Sequence, residues 1–153
     1  MFEVIRNRMQ NSVPYAAHSG IVLQELDENG ASAILPQTGF SVNHIASQHA
    51  GALFTLGETA SGAAMAGLFA SVMMSIRPVT SDASIRYTKV AKGTITAVAS
   101  VAEDSIAVLD TFREQGKVSF NVGVTLTDES GVEVANMQVQ WHVTDSRRRA
   151  QPA

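Results

Sequence analysis

Cysteine is absent from the 153 residues of this chain, and only 16% of the residues are charged. Without cysteine, a disulfide framework, a thiolate zinc site and a cysteine nucleophile are all excluded. The hydrophobic content of 45% is enough for a domain of this length to bury a core without metal or disulfide support. We therefore expect a single domain spanning residues 1–153, in a reducing compartment.

Basic residues are also scarce, with 11 Lys and Arg against 14 Asp and Glu and a formal net charge of −3. Binding to a phosphate backbone needs a basic face, so we expect no nucleic-acid partner. The one basic run, Arg147 to Arg149, is interpreted as part of a flexible, solvated tail over residues 146–153.

Signals for export and membrane insertion are weak. The first ten residues carry charges of both signs and lack the apolar core of a secretory signal. The most apolar stretch, residues 50–76, contains Glu58 and is rich in Ala, Gly, Ser and Thr. We therefore expect a cytoplasmic protein with no membrane partner. The four histidines show no metal-ligand spacing, and we expect neither metal nor cofactor.

Apolar periodicity divides the chain into a short helix, two strands, a long helix and four strands. Helical spacing predicts the first helix over residues 2–11, ahead of Pro14. Asn29-Gly30 suits a tight hairpin turn. Alternating apolar residues predict strands over 20–26, 31–35, 83–90, 94–101, 118–127 and 132–143.

The long helix, from Ala50 to about Phe69, is apolar or tiny at nearly every position. This composition indicates a helix enclosed on most sides rather than one with a solvent face. Its many small residues allow a sheet to approach the helix backbone closely. The sequence thus predicts an α+β domain in which a curled antiparallel sheet cradles one helix.

Glu58 is the only charged residue between Asn29 and Ile76, and it lies in the middle of this helix. Burying a lone carboxylate is costly unless it is paired, hydrogen-bonded or protonated. One interpretation is a structural carboxylate held by the neighbouring hydroxyls of Thr55, Thr59 or Ser61. The other is a general base or nucleophile whose reactivity depends on partial burial.

The predicted start of the long helix offers a second chemical group. Free backbone N–H groups at Ala50 and Gly51 can polarise a carbonyl oxygen. Glu58 lies eight residues beyond Ala50, roughly 12 Å along one helix, so the two cannot serve the same carbonyl within one chain. Two such helices packed antiparallel about a two-fold axis would build two composite sites. We therefore expect a homodimer if both groups are catalytic.

The pattern Asn43-x5-His49-Ala50-Gly51-x6-Glu58, followed by residues 84–89 (Ser-Ile-Arg-Tyr-Thr-Lys), resembles the PaaI-like group of hotdog-fold acyl-CoA thioesterases. The resemblance covers about residues 15–144. It implies a long central helix wrapped by a curved six-stranded antiparallel sheet, an active dimer or dimer of dimers, and an acyl-CoA substrate. The helix sequence looks closest to a subgroup of that superfamily without assigned activity.

The resemblance also implies roles for individual catalytic residues. Glu58 matches the carboxylate that attacks the thioester or activates water, and Ala50 matches the residue whose N–H polarises the thioester carbonyl. His49 and Gly51 match the histidine-glycine motif at the helix start. Asn43 matches an asparagine that holds the thioester or the attacking water, and Thr80 a hydroxyl that orients the water in some relatives.

Substrate-binding residues are implied less specifically. Arg86, Lys89 and Lys92 lie on or after a strand whose counterparts in the family often end near the phosphates of CoA, although a solvated strand face explains them nearly as well. Four apolar residues after the helix centre either line an acyl tunnel or fill the core. These are Leu68, Phe69, Met73 and Met74.

One departure from the family pattern keeps other functions open. Ala50 stands where the family usually has Gly, so a methyl group occupies space near the expected thioester. This favours, as an alternative to a thioester hydrolase, a non-catalytic hotdog module that binds acyl-CoA. A hotdog hydratase or dehydratase is a further alternative, but the Pro-Gly expected before its helix is absent.

Overall fold

The structure is a computed structural model that describes residues 1–150, with four α-helices and six β-strands. The helices are α1 (Phe2–Ser12), α2 (Pro14–His18), α3 (Ala50–Leu68) and α4 (Ser105–Gln115). The strands are β1 (Val22–Leu26), β2 (Ala31–Leu35), β3 (Ile76–Tyr87), β4 (Ile95–Val101), β5 (Lys117–Thr127) and β6 (Glu133–Asp145). Short 3-10 helices span Ala70–Ser75 and Ser146–Ala150.

All six strands form one antiparallel sheet in the order β1-β2-β4-β5-β6-β3. Helix α3 packs against β1, β2, β4, β5 and β6, so the sheet wraps around it. Alternate residues of β5 and β6 face this helix and are buried, while those between them face outward. The predicted α+β architecture, one long helix wrapped by a six-stranded antiparallel sheet, is confirmed.

Glycines allow the sheet to approach α3 closely. A Cβ atom on Gly57 would lie 2.6 Å from Met137 Sδ, and a Cβ atom on Gly67 would overlap the main-chain carbonyl of Asp27. Side chains at these positions would push the sheet and the hairpin turn away from the helix.

Within the described residues, no helix reaches the combination of length and hydropathy needed to cross a membrane.

Helix α4 is an element that the sequence prediction missed. The carboxylate of Asp104 caps it by accepting a hydrogen bond from Ile106 N at 3.0 Å, and Gly116 ends it with φ of +71°. An aspartate before a helix and a left-handed glycine after it are recognisable helix boundaries. Only two residues of α4, Val108 and Phe112, are buried, so its apolar periodicity is weak.

Strand β3 begins at Ile76 rather than at residue 83 as predicted. Its early part contains Pro78 and a register shift between Thr80 and Asp82, which break the alternation expected of a strand. Proline is tolerated here because β3 is the last strand of the sheet and needs hydrogen bonds on one side only.

Two arginines of the basic run, Arg147 and Arg148, contact described residues, and the flexible tail over residues 146–153 stays a prediction. Arg147 donates two side-chain hydrogen bonds to the Asp145 carboxylate, at 2.9 and 2.8 Å, which lower the pKa of Asp145 to about 2. Arg148 donates to the main-chain carbonyls of Arg113 and Glu114 at the end of α4. The remainder of the predicted tail, residues 151–153, lies outside the described residues.

Candidate active site

Glu58 is half-buried on α3 and opens onto a pocket of about 270 Å³. The pocket is lined by apolar side chains from five parts of the chain: helix α1 with the residue after it, strand β1, helix α3, the 3-10 helix that follows α3, and strand β6. These are Met9, Val13, Leu23, Met65, Met73 and Trp141. Removal from water into this apolar environment raises the pKa of the Glu58 carboxyl above its ordinary value of 4.5.

The hydroxyls beside Glu58 do not hold its carboxylate. Thr55 Oγ1 donates to Gly51 O at 2.9 Å, and Thr59 Oγ1 donates to Thr55 O at 2.7 Å. Ser61 Oγ donates to the main-chain carbonyl of Glu58 at 2.7 Å. Within residues 1–148, no hydrogen bond reaches the Glu58 carboxylate, and burial alone shifts its pKa. A carboxylate stabilised by neighbouring hydroxyls, the structural interpretation, is therefore not what the chain forms.

The raised pKa of Glu58 predicts a pH-dependent cost in stability. The folded protein holds this proton more tightly than the unfolded chain, so ionisation destabilises the fold as pH rises from the ordinary value of 4.5 through the raised pKa. We expect Glu58→Gln to have a higher Tm than the native protein at about pH 7 and an equal Tm at about pH 4. Thermal unfolding of both proteins across this range measures the gap. A difference in Tm that stays constant with pH would contradict a raised pKa for Glu58.

The start of α3 leaves the Ala50 N–H free. His49 caps the helix, because its Nδ1 atom accepts a hydrogen bond from Gly51 N at 2.8 Å. The N–H of Ala50 has no partner within the described residues, and Ala50 is exposed. The Tyr87 hydroxyl donates to the Ala50 carbonyl at 2.8 Å and ties the end of β3 to this turn. Of the two donors expected at the helix start, the Ala50 N–H is thus the available one.

We expect His49 to act as a helix cap, which predicts a specific mutational pattern. His49→Ala removes the acceptor for Gly51 N and should cost about 1 kcal/mol, or roughly 2–4 °C in Tm. His49→Asn supplies another acceptor of similar reach and should restore most of this loss. Thermal unfolding of the two variants measures the difference, and equal losses in both would argue against capping.

Asn43 organises the loop that leads into α3. Its Oδ1 accepts hydrogen bonds from the main-chain N–H groups of Ile45 and Ser47, each at 3.1 Å, and its Nδ2 donates to Ser47 Oγ at 2.9 Å. Ala46, inside this loop, has φ of +58°. The side chain of Asn43 therefore shapes the approach to the helix start, and contact with a substrate or water stays a prediction.

The three predicted phosphate-binding residues are exposed and lie on or just beyond the end of β3. Arg86 is near the end of that strand, and Lys89 and Lys92 lie in the loop after it. Gln48 holds this loop by donating from Nε2 to Gly93 O at 2.9 Å and from its main-chain N to Ala91 O at 2.8 Å. None of the three cations forms a salt bridge with another described residue. The Gln48 hydrogen bonds thus hold the loop that carries Lys89 and Lys92 beside the start of α3.

Thr80 lies on β3 opposite a residue that lines the Glu58 pocket. It pairs with Trp141 in the β3–β6 register, and Trp141 lines the pocket together with Pro78. Thr80 itself is exposed and is not among the lining side chains. Its predicted role in orienting water stays a prediction.

Several features of the pocket were not anticipated from the sequence. Trp141 Nε1 donates to Ser61 Oγ at 3.0 Å, which holds the indole ring over Gly62. The alternation in β6 predicts only that Trp141 lies on one face of its strand. It does not identify the partner of Trp141 on α3, Ser61, which is 80 residues away in the sequence. Of the candidates for an acyl tunnel, Met73 lines the pocket, whereas Met74 is 74% exposed and Phe69 packs in the core against Phe112.

A second pair of reactive groups lies on the opposite face of the sheet. Ser119 Oγ and His142 Nδ1 are 2.8 Å apart, but both residues alternate with buried neighbours and face outward. The nearby Glu103 carboxylate accepts hydrogen bonds from Asn121 instead of orienting His142.

Between residues 1 and 148, no three side chains of the His, Cys, Asp and Glu types cluster in a way that could hold a metal ion.

The long helix wrapped by a six-stranded antiparallel sheet defines a hotdog-fold protein, and the resemblance to PaaI-like hotdog proteins is confirmed at the level of the fold. The chain belongs to the family described as a domain of unknown function (DUF4442), whose model matches residues 3–143. No protein with a curated description matches the sequence.

Solved structures share this fold over nearly the whole chain. A Pseudomonas aeruginosa protein of unknown function, described as a probable thioesterase, is 28% identical with a TM-score of 0.81, and the match covers 95% of this chain and 96% of that one. A putative thioesterase from Shewanella oneidensis is 16% identical, with a TM-score of 0.79 and coverage of 93% and 99%. The PaaI protein of the E. coli phenylacetic acid degradation operon is 22% identical, with a TM-score of 0.72 and coverage of 92% and 91%.

Proposed function

We propose that this protein is an acyl-CoA thioesterase in which Glu58 is the catalytic carboxylate. The observation that carries the proposal is the environment of Glu58: a half-buried carboxylate with no hydrogen bond from residues 1–148, facing an apolar pocket. A half-buried carboxylate that is not held by hydrogen bonds from neighbouring residues is suited to take a proton or to attack an electrophile. The description of a 28% identical structure as a probable thioesterase supports the same reaction class.

The proposed reaction is hydrolysis of the thioester bond. Glu58 takes a proton from water while the hydroxide adds to the carbonyl carbon, and the Ala50 N–H of a second copy of the chain donates a hydrogen bond to the resulting oxyanion. Collapse of this intermediate breaks the C–S bond and releases CoA thiolate and the carboxylic acid. The proton on Glu58 passes to the thiolate or to solvent. In a second form of this reaction, Glu58 attacks the carbonyl carbon directly and the C–S bond breaks to release CoA thiolate. Water then hydrolyses the mixed anhydride, which releases the carboxylic acid and restores the Glu58 carboxylate.

The proposed active unit is a homodimer, because one chain cannot bring the two groups to one carbonyl. Glu58 and Ala50 are about 12 Å apart along α3. Strand β3 supports the proposal: it has 12 residues, lies at the end of the sheet and pairs with β6 alone within the described residues. An edge of this length offers main-chain donors and acceptors for the same edge of a second copy. A dimer of dimers is compatible with the same interface.

The proposed CoA site lies at the start of α3. Arg86, Lys89 and Lys92 supply positive charge there without competing salt bridges to described residues. Guanidinium and ammonium groups suit the phosphates of CoA. The Tyr87 hydrogen bond to the Ala50 carbonyl links this charged segment to the proposed oxyanion donor.

A binding module without turnover is the second candidate, and Ala50 is the observation that favours it. Its methyl group stands at the exposed helix start, where the thioester carbonyl would approach. Such a protein would bind acyl-CoA and release no thiol.

The proposal is tested by measuring CoA release with a thiol reagent over a panel of aryl-CoA and straight-chain acyl-CoA thioesters, together with equilibrium binding of the same compounds. Catalytic release of thiol supports the thioesterase. Binding of acyl-CoA by folded protein without any release of thiol would overturn it in favour of the binding module.

A further inference from the structure

We propose that helix α1 closes an acyl pocket above α3 and that Met9 on this helix limits the length of the acyl group. This inference rests on the proposed thioesterase function and adds the substrate class: an uncharged apolar acyl group of about nine heavy atoms. That size follows from a cavity of about 270 Å³, taking about 30 Å³ for each water-sized group.

The direction of the acyl group follows from the spacing of residues along α3. Glu58, Gly62 and Met65 all line the pocket and lie on one face of the helix, because they are separated by four and then three residues. Gly62 is about 6 Å beyond Glu58 along the helix axis, and Met65 about 10 Å. A thioester whose carbonyl is at Glu58 would therefore extend its acyl group past Gly62 towards Met65.

Met9 lies over this path. A Cβ atom on Gly62 would be 4.0 Å from Met9 Cε and 3.3 Å from Trp141 Cζ2, so the two side chains flank the space that Gly62 leaves open. The indole ring cannot turn away freely, because its Nε1 donates to the buried Ser61 Oγ at 3.0 Å. Met9 and Trp141 thus form a constriction in which the Met9 side chain is flexible and the Trp141 ring is held in place.

Helix α1 is attached by residues other than Met9. Gln10 bridges to β1 by accepting from Leu23 N at 2.7 Å and donating to Ile21 O at 2.9 Å. Arg6 Nη1 donates to Gln24 O at 2.9 Å. Through these three hydrogen bonds, side chains of α1 bond main-chain groups along the free edge of β1, as a neighbouring strand would. Shortening Met9 should therefore enlarge the pocket without releasing the helix.

The test compares kcat/KM for butanoyl-, octanoyl-, dodecanoyl- and hexadecanoyl-CoA in the native protein and three variants. Met9→Ala should raise the dodecanoyl-to-octanoyl ratio about tenfold, because the longer chain gains the space of the removed side chain. Gly62→Ala should lower that ratio and move the preference towards butanoyl-CoA, because its methyl group narrows the constriction. Val4→Ala, an exposed position on the same helix that is not among the pocket-lining residues, should leave the profile unchanged.

Equilibrium binding of octanoyl- and dodecanoyl-CoA, measured by calorimetry, separates this inference from the proposed function. If the native protein turns over no thioester, the thioesterase proposal fails, but the same shift in the ratio of Kd values in Met9→Ala would still support the acyl pocket. If Met9→Ala and Gly62→Ala are folded and their dodecanoyl-to-octanoyl ratios equal that of Val4→Ala, the assignment of the acyl pocket is overturned. Failure of the native protein to bind either compound would overturn the acyl pocket alone, because turnover of aryl-CoA thioesters tests the thioesterase proposal separately.

Discussion

Glu58→Gln is expected to lower kcat for thioester hydrolysis by about two orders of magnitude or more, since it removes the general base or nucleophile while preserving the shape of the side chain. The amide cannot take a proton from water at neutral pH. No hydrogen bond from residues 1–148 depends on the carboxylate, so the replacement should leave the surrounding helix intact. Release of CoA, followed with a thiol reagent at saturating substrate, measures the effect.

The control for this variant is Glu25→Gln, an exposed glutamate on β1 that should keep native turnover. The pH profile gives a second measure of the same group. Because burial raises the pKa of Glu58, kcat/KM of the native protein should rise with pH through a value above the ordinary 4.5 and then level off. Native-like turnover in Glu58→Gln would remove Glu58 from the mechanism.

Ala50→Pro is expected to lower kcat by about a hundredfold to a thousandfold, because it removes the one backbone N–H proposed to bind the oxyanion. Ala50 is the first residue of α3, a position where proline is well tolerated and where no hydrogen bond to described residues is lost. His49 before it is extended, with ψ of 140°, as a residue preceding proline should be. The helix should therefore fold normally, and Tm should be unchanged or higher. Ala50→Gly, which keeps the N–H, is the matched control and should retain turnover.

Mixing the two inactive variants tests whether the site is shared between subunits. In a heterodimer of Glu58→Gln and Ala50→Pro chains, one of the two sites combines an intact Glu58 with an intact Ala50 N–H from the other chain. Equal amounts of the two variants, reassorted at random, should recover about a quarter of native activity. If both groups belonged to one chain, every site would carry a defect and mixing would recover nothing.

The sequence predicted the central part of this protein well because its signals are local. The alternation in β5 and β6 and the uniform run of small apolar residues in α3 each lie within one element, and burial against the common core follows from them directly. Glu58 was identifiable for the same reason, as a single charge in an apolar helix. The prediction missed α4 and the first half of β3, where only one face is weakly buried or where a proline and a bulge interrupt the period.

The sequence by itself therefore determined the fold class, the helix that carries the candidate carboxylate and the turn of backbone that begins it, because periodicity and capping act between near neighbours. Only the tertiary structure decided how these groups are used. The hydroxyls beside Glu58 turned out to bond main-chain carbonyls, and the Gly51 N–H turned out to be taken by His49. The pocket depends on contacts between Met9, Gly62 and Trp141, which are distant in the chain and meet only when the sheet closes around the helix. No local pattern encodes such contacts, since they arise from the packing of complete elements.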